Sequence, residues 1–234
     1  MAESESTCWL LIRGAAAGRV RDREAFARCY EPVIRAFLGA RWREAALRVD
    51  IDDAVQEVFI ECFRSGGALE AADPERPRGF RAFLNGVARN VALRFERARG
   101  RSRERTADRV SDNAEDVDGD PSASRVLDRA WALAILREAG LVMAARAELS
   151  DAEGSGGHGA VRRVELLELR FRDDLPIREI ALRWSEDAAL VHKEYARARE
   201  EFRSALLEVV GAHHPGSAAD VERRSAEILE LVRG

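Results

Sequence analysis

The chain has 234 residues, a formal net charge of −4 and 34 % charged residues, which allows one large domain or two small ones, each with its own core. So small an excess charge rules out a uniformly basic nucleic-acid binder, so any such signal must lie in how charge is distributed along the chain. The cysteines Cys8, Cys29 and Cys62 sit in apolar helical patterns without CxxC or His-Cys spacing, which argues against a disulfide framework or a zinc site and for buried thiols in a reducing cytoplasm.

The first residues, Met1 to Thr7, are acidic and lack a basic leader segment, and the apolar run Trp9 to Ile12 is too short to span a bilayer; neither export nor membrane insertion is expected. From Thr7 to about Arg105 apolar residues recur at helical spacing, with no hairpin signals, and predict a helical bundle. One helix carries Phe26, Tyr30, Val33, Ile34, Phe37 and Leu38, with Pro32 expected to kink it or lie near a start. A second opens at Asp50, read as its N-cap, and buries Val55, Val58, Phe59, Cys62 and Phe63, with Asp53, Gln56 and Glu57 on the opposite face. After a Gly/Pro-rich loop, Gly66 to Gly79, a third repeats Phe80, Phe83, Leu84, Val87, Ala88 and Val91, leaving Arg81, Asn85 and Arg89 on another side.

Between Asp108 and Asp120 six carboxylates and almost nothing apolar predict a flexible acidic linker, because such a segment cannot offset its ordering entropy by burial. Helical periodicity resumes near Val126, runs through Trp131, Leu133 and Leu136, breaks at Gly154 to Gly159, and continues to about Val210. A last amphipathic segment with Val221, Ile228, Leu229 and Val232 follows the turn at Pro215 and Gly216. The expected architecture is all-α: a domain over 7–105, a linker over 106–124, a second domain over 125–210 and a helical extension over 211–234.

The most informative stretch is Leu175 to Phe202. Ile177, Ile180 and Ala181 define a short helix and Val191, Tyr195, Ala198 and Phe202 a longer one, with a tight turn between them. Two helices can cross closely where the first supplies a small residue, here Ala181, and the second an apolar anchor, Val191. That geometry is expected to expose Ala188, Ala189, His192 and Lys193 toward a DNA major groove, with Arg197 and Arg199 placed for the backbone. An ordinary helical hairpin is the plainer alternative. Ser185 occupies the turn position where glycine is usual, and Glu186 and Glu194 place negative charge near the proposed DNA face.

A second constellation is the segment from Phe80 to Arg105, with eight arginines against two glutamates. Beside Asn85 and Asn90, both expected to be exposed, this stripe suits a nucleic-acid backbone, and Phe80, Phe83 and Phe95 raise stacking on unpaired bases, although most of these aromatics are expected in the core. A solvated helix end offset by the acidic linker is the alternative. The third is the cluster Asp50, Asp52, Asp53, Gln56 and Glu57 at a helix start. Capping accounts for it in part, but with Ile60 beside Glu57 its acidic and partly apolar face suits docking to a basic partner surface. The histidines His158, His192, His213 and His214 offer no ligand spacing near it, and no phosphate loop, GxSxG elbow or HExxH is present. Neither metal nor cofactor nor catalytic residue is expected.

Together these residues resemble bacterial RNA polymerase sigma factors of the extracytoplasmic-function type in the sigma-70 family, which keep two helical domains called regions 2 and 4. The run Asp50-Ile-Asp-Asp-Ala-Val-Gln-Glu-Val-Phe59 is similar to the family's core-binding signature. The resemblance implies that Asp50, Asp52, Asp53, Gln56, Glu57 and Ile60 contact the polymerase β′ coiled coil. The run Phe80-Arg-Ala-Phe-Leu-Asn-Gly-Val-Ala-Arg-Asn90 resembles the helix that helps melt and read the minus 10 element, implying DNA contacts from Arg81, Asn85, Arg89, Asn90, Arg94 and Arg97, with a flipped base captured by the loop before it. Leu169-Arg-Phe171, Ile177-Arg-Glu-Ile-Ala181 and Val191 through Arg199 look like region 4, implying minus 35 contacts from Ala188, Ala189, His192, Lys193, Arg197 and Arg199. The partners implied are core RNA polymerase through its β′ and β subunits and promoter DNA, with room for an anti-sigma protein. The location implied is the cytoplasm. A stand-alone helix-turn-helix regulator, and a sigma-like protein that sequesters polymerase without reading promoters, are the competing expectations.

Overall fold

The computed structural model describes residues 7–43, 46–73, 79–106, 121–152, 159–214 and 216–233, and among them the structure is all-α, without strands. The helices are α1 (Thr7–Ala16), α2 (Val20–Arg41), α3 (Ile51–Phe63), α4 (Gly79–Thr106), α5 (Pro121–Ala152), α6 (Gly159–Phe171), α7 (Ile177–Trp184), α8 (Ala188–His213) and α9 (Ala218–Arg233). The acidic stretch 108–120 lies outside the described residues. The chain divides into two compact units, Met1–Ala134 with Ala212–Gly234, and Ile135–Gly211. The first therefore takes in Trp131 and the C-terminal extension, along with the bundle expected over 7–105.

In the first unit the spacing of apolar residues on α2, α3 and α4 converges on an aromatic cluster. Phe26, fully buried, lies 4.5 Å from Tyr30, 5.5 Å from Phe63, 5.9 Å from Phe80 and 6.3 Å from Phe59, centroid to centroid. Most of these contacts are steeply inclined, which sets ring edges against π faces as the aromatic quadrupole favours. Trp131 stacks on Tyr30 at 5.4 Å with 23° between planes, and the Tyr30 hydroxyl lies 3.4 Å from Nδ1 of the buried His213. Pro32 sits inside α2 on its exposed side, and the helix continues past it. The proline deprives the Arg28 carbonyl of its usual helical partner, a small loss where water reaches.

Expected to cap α3 with its side chain, Asp50 makes no side-chain capping bond; its carboxylate instead accepts a hydrogen bond from Arg99 Nη1 at 2.7 Å. The correction has a local cause: a short 3-10 turn at Ala46–Asp50 leads straight into α3, and Asp50 has φ −94° and ψ 5° instead of the extended backbone of a capping residue. Cys62 is buried, and burial, with Glu61 nearby, pushes its thiol up to about 12, which makes it an inert packing group.

In the second unit Leu166, Leu169, Ile177, Ile180, Ala181 and Val191 form the core, with Leu175, Trp184, Ala188 and Tyr195 packed against it. The α7–α8 turn is built by two complementary devices. Ser185 is left-handed at φ 55° and ψ 40°; its N–H donates to the Leu182 carbonyl at 3.1 Å and that of Glu186 to the Ala181 carbonyl at 3.0 Å, the Schellman pattern that satisfies the last carbonyls of a helix. Asp187 then caps α8, its Oδ1 accepting the N–H groups of Ala189 at 2.8 Å and Leu190 at 3.2 Å. A left-handed serine costs about 1–2 kcal/mol, and glycine at the same place gives back roughly half through its freer unfolded chain. Ser185→Gly is thus expected to stabilise this unit by about 0.5–1 kcal/mol in thermal or urea unfolding; a destabilised variant would contradict the strained turn.

Candidate protein-docking and nucleic-acid interfaces

On α3 the apolar stripe that feeds the core does not close over completely. Val55, Phe59, Ile60 and Phe63 line a surface groove whose rim carries Glu31, Asp52, Gln56 and Arg64. Phe59 and Phe63 stack at 5.8 Å with 16° between planes and rest on Phe26, so the groove floor is part of the same aromatic cluster. Ile60 is 49 % exposed and continues the apolar lining of the groove to its open side. Asp52, Asp53 and Gln56 are exposed and Glu57 is half-buried. Arg35 joins this rim to α2, its Nη1 2.5 Å from Asp52 and its Nη2 3.0 Å from Glu31. Of the six residues expected to dock a partner, Asp52, Asp53, Gln56, Glu57 and Ile60 share the outer side of α3, whereas Asp50 turns to Arg99.

The arginine stripe on α4 is divided. Arg94 Nη1 lies 2.7 Å from Glu61 and its Nη2 3.5 Å from Glu57, so it joins the α3 carboxylates. Arg81 Nη1 donates to Asp128 Oδ1 at 2.7 Å. Asn90 and Arg97 are exposed and Arg89 is half-buried; Arg103 and Arg105 lie outside the residues whose side chains are described. Asn85, expected to be exposed, is half-buried, and its Oδ1 is buried without a hydrogen-bond partner among the described residues. It lies at the edge of the α4 apolar stripe, where a small rotation of the helix is enough to carry it from the surface toward the bundle. Glu96 holds the far end of α4 in place, accepting hydrogen bonds from Arg41 Nε at 2.7 Å and Trp42 Nε1 at 2.8 Å.

The start of α4 meets the C-terminal extension. Gly79 has φ 64°, and a Cβ there would lie 3.1 Å from the His214 ring; both the left-handed backbone and the close approach call for glycine. Residues 74–78 of the loop expected to capture a base lie outside the described residues. Burial pushes His214 down to about 4, helped by the positive charges of Arg224, His213 and Arg81. An unfolded histidine titrates near about 6.5, so the unfolded chain binds the proton more readily. The stability held by neutral His214 is complete above that pH and is lost as pH falls from there toward 4. His214→Gln is expected to remove on the order of 1–2 kcal/mol of this acid destabilisation, the ring being partly screened by solvent. An unchanged slope of unfolding free energy between pH 6.5 and pH 4 would contradict it.

On α8, Ala189, His192, Lys193, Arg197 and Arg199 are exposed along one helix, while Ala188, expected to face outward, is half-buried against the core. The Arg199 guanidinium lies 5.8 Å from the Tyr195 ring centroid. Glu186 and Glu194 are both paired: Glu186 with Arg162 at 2.5 Å, Glu194 with Arg163 at 3.3 Å and with Arg197 at 2.9 Å. The Arg162-Arg163 dipeptide escaped sequence reasoning because its partners lie 24 to 38 positions further along the chain. The packing of Trp131 and His213 on Tyr30 likewise joins residues far apart in the chain.

Among the described residues no His, Cys, Asp and Glu side chains gather as metal ligands, and no helix is long and apolar enough to cross a membrane. Residues 26–102, from α2 into α4, match the family model described as Sigma-70 region 2. No curated protein and no solved structure matches the chain. Sigma-70 region 2 is found in transcription initiation factors, where it serves polymerase binding and promoter melting, and the match supports a likeness to the sigma-70 family over that segment.

Proposed function

We propose that the chain is a cytoplasmic sigma factor of the extracytoplasmic-function type, with region 2 around α2 to α4 and region 4 in the helix-turn-helix of α7 and α8. The observation that carries this is the apolar groove on α3, flanked by the exposed carboxylates Asp52 and Asp53, inside the segment matched to region 2. An exposed isoleucine between carboxylates suits a basic partner helix with an apolar ridge. On this reading the groove, with Asp52, Asp53, Gln56, Glu57 and Ile60, docks the polymerase β′ coiled coil. The α4 residues Arg81, Arg89, Asn90 and Arg97 hold the melted minus 10 strand, and Ala189, His192, Lys193, Arg197 and Arg199 meet the minus 35 duplex. Nucleotide addition, on this reading, belongs to the polymerase. Two modest DNA contacts on one tethered molecule reinforce each other through effective concentration.

Arg81 has to leave Asp128 to reach a phosphate. With the two side chains 39 % and 33 % exposed, their pairing is worth under about 1 kcal/mol, less than a phosphate contact in a desolvated interface. The double variant Arg81→Ala/Arg89→Ala is therefore expected to lower open-complex formation about tenfold or more while core polymerase binding stays within about threefold. Permanganate reactivity of unpaired thymines reads the first quantity and co-purification the second. Undiminished melting by the double variant would remove α4 from the mechanism.

A further inference from the structure

We infer that Arg163, set on α6 against α8, is the positioning residue of the recognition helix: by neutralising Glu194 and Glu201 it keeps their carboxylates drawn toward α6, clear of the α8 residues that meet the duplex. This rests on the reading of α7–α8 as a DNA-reading helix-turn-helix. Arg163 is only 15 % exposed. Its guanidinium grips Glu201 with two bonds, Nε to Oε2 at 2.9 Å and Nη2 to Oε1 at 2.7 Å, the planar fork that arginine makes and lysine does not. Its Nη1 reaches Glu194 at 3.3 Å. The two glutamates are seven positions apart, two helical turns on one side of α8, so one arginine from α6 spans the stretch that begins directly after His192 and Lys193.

Its neighbour Arg162 holds the other end. The guanidinium of Arg162 lies 4.4 Å from the Trp184 ring centroid and 2.5 Å from Glu186. Adjacent residues of α6 thus hold the last residue of α7, the turn, and the body of α8. Glu194, which the sequence places near DNA, is drawn instead toward α6: it is 26 % exposed and takes Arg163 and Arg197 together. Without Arg163 the Glu194 carboxylate keeps only Arg197, on the outer side of α8, and its charge is drawn out beside Lys193, where it would repel phosphate.

The test uses the full chain bound to purified core polymerase. The wild type first selects duplexes from a randomised double-stranded library, and affinity for the selected duplex is then measured for Arg163→Met, which keeps the aliphatic stem without the charge. Arg163→Met is expected to bind about tenfold more weakly, and adding Glu194→Gln and Glu201→Gln is expected to restore binding to within about threefold, a rescue that a merely structural role for Arg163 would not produce. Should Arg163→Met not fold, the triple variant carries the test: it is expected within about threefold of wild type, and a tenfold loss overturns the assignment. Lys193→Ala distinguishes the two levels. If it abolishes selective binding while Arg163→Met leaves it intact, the helix-turn-helix stands and the clamp falls; if the wild type selects no duplex, both fall.

Discussion

Replacing Phe26 with alanine is expected to destabilise the first unit by about 3–5 kcal/mol, the usual cost of emptying an aromatic site that cannot collapse. Phe26 is fully buried and touches Tyr30, Phe59, Phe63 and Phe80, so four rings from three helices lose a shared neighbour. Against a typical domain stability of about 5–15 kcal/mol, that loss brings the unit near unfolding at growth temperature. The effect reaches function as well as stability, because Phe59 and Phe63 line the α3 groove and rest on Phe26. Phe26→Leu, which keeps most of the volume, is expected to cost less than about half as much. Urea unfolding of both variants checks the pair; a Phe26→Ala midpoint close to wild type would mean that the ring cluster does not organise the fold.

The second large effect is expected at the rim of the groove. Asp52→Lys/Asp53→Lys changes the local charge by four on a face whose Asp52 side chain is 81 % exposed. Against a basic partner surface, like charges brought together cost several kcal/mol, and polymerase affinity is expected to fall by about 30- to 100-fold, most strongly at low salt. The fold should tolerate the change. Arg35 loses Asp52 and faces a new cation, but it keeps Glu31 at 3.0 Å, and exposed pairs of this kind contribute under about 1 kcal/mol. Equal retention of core polymerase by the variant and the wild type at low salt would locate the docking face elsewhere. The groove interior offers an independent check, since Ile60→Asp places one charge on the apolar floor without reversing the rim.

The helical stripes of α2, α3 and α4 are legible in the sequence because burial imposes a 3.6-residue period on them. So is the α7–α8 turn, where Ser185 stands in the position that wants glycine and adopts the left-handed backbone of such a position. What sequence periodicity does not carry is which partner a charged or polar side chain takes. Asp50 looks like a cap, and only the arrival of Arg99, 49 positions on, shows its carboxylate to be part of a tertiary bridge. Glu194 looks like a charge set against DNA until Arg163 is seen beside it. Trp131 and His213 continue the helical patterns around them, yet both pack on Tyr30, a contact set by chain topology. Asn85 falls at the edge of the α4 stripe, where a small rotation of the helix decides between water and protein. Of the candidate contacts, those on α3 are the more legible, because an exposed isoleucine among carboxylates breaks the amphipathic rule locally, while the arginines of α4 obey it and leave their partners undetermined.

The central claim, that this chain lends promoter specificity to RNA polymerase, is tested most directly by transcription in vitro with purified core polymerase and a library of promoter fragments. Addition of the chain is expected to yield transcripts from a subset of templates sharing two spaced elements, and those transcripts are expected to fall sharply with Asp52→Lys/Asp53→Lys. Tight binding to core polymerase with no transcript from any template would contradict the claim and leave a protein that occupies polymerase without directing it.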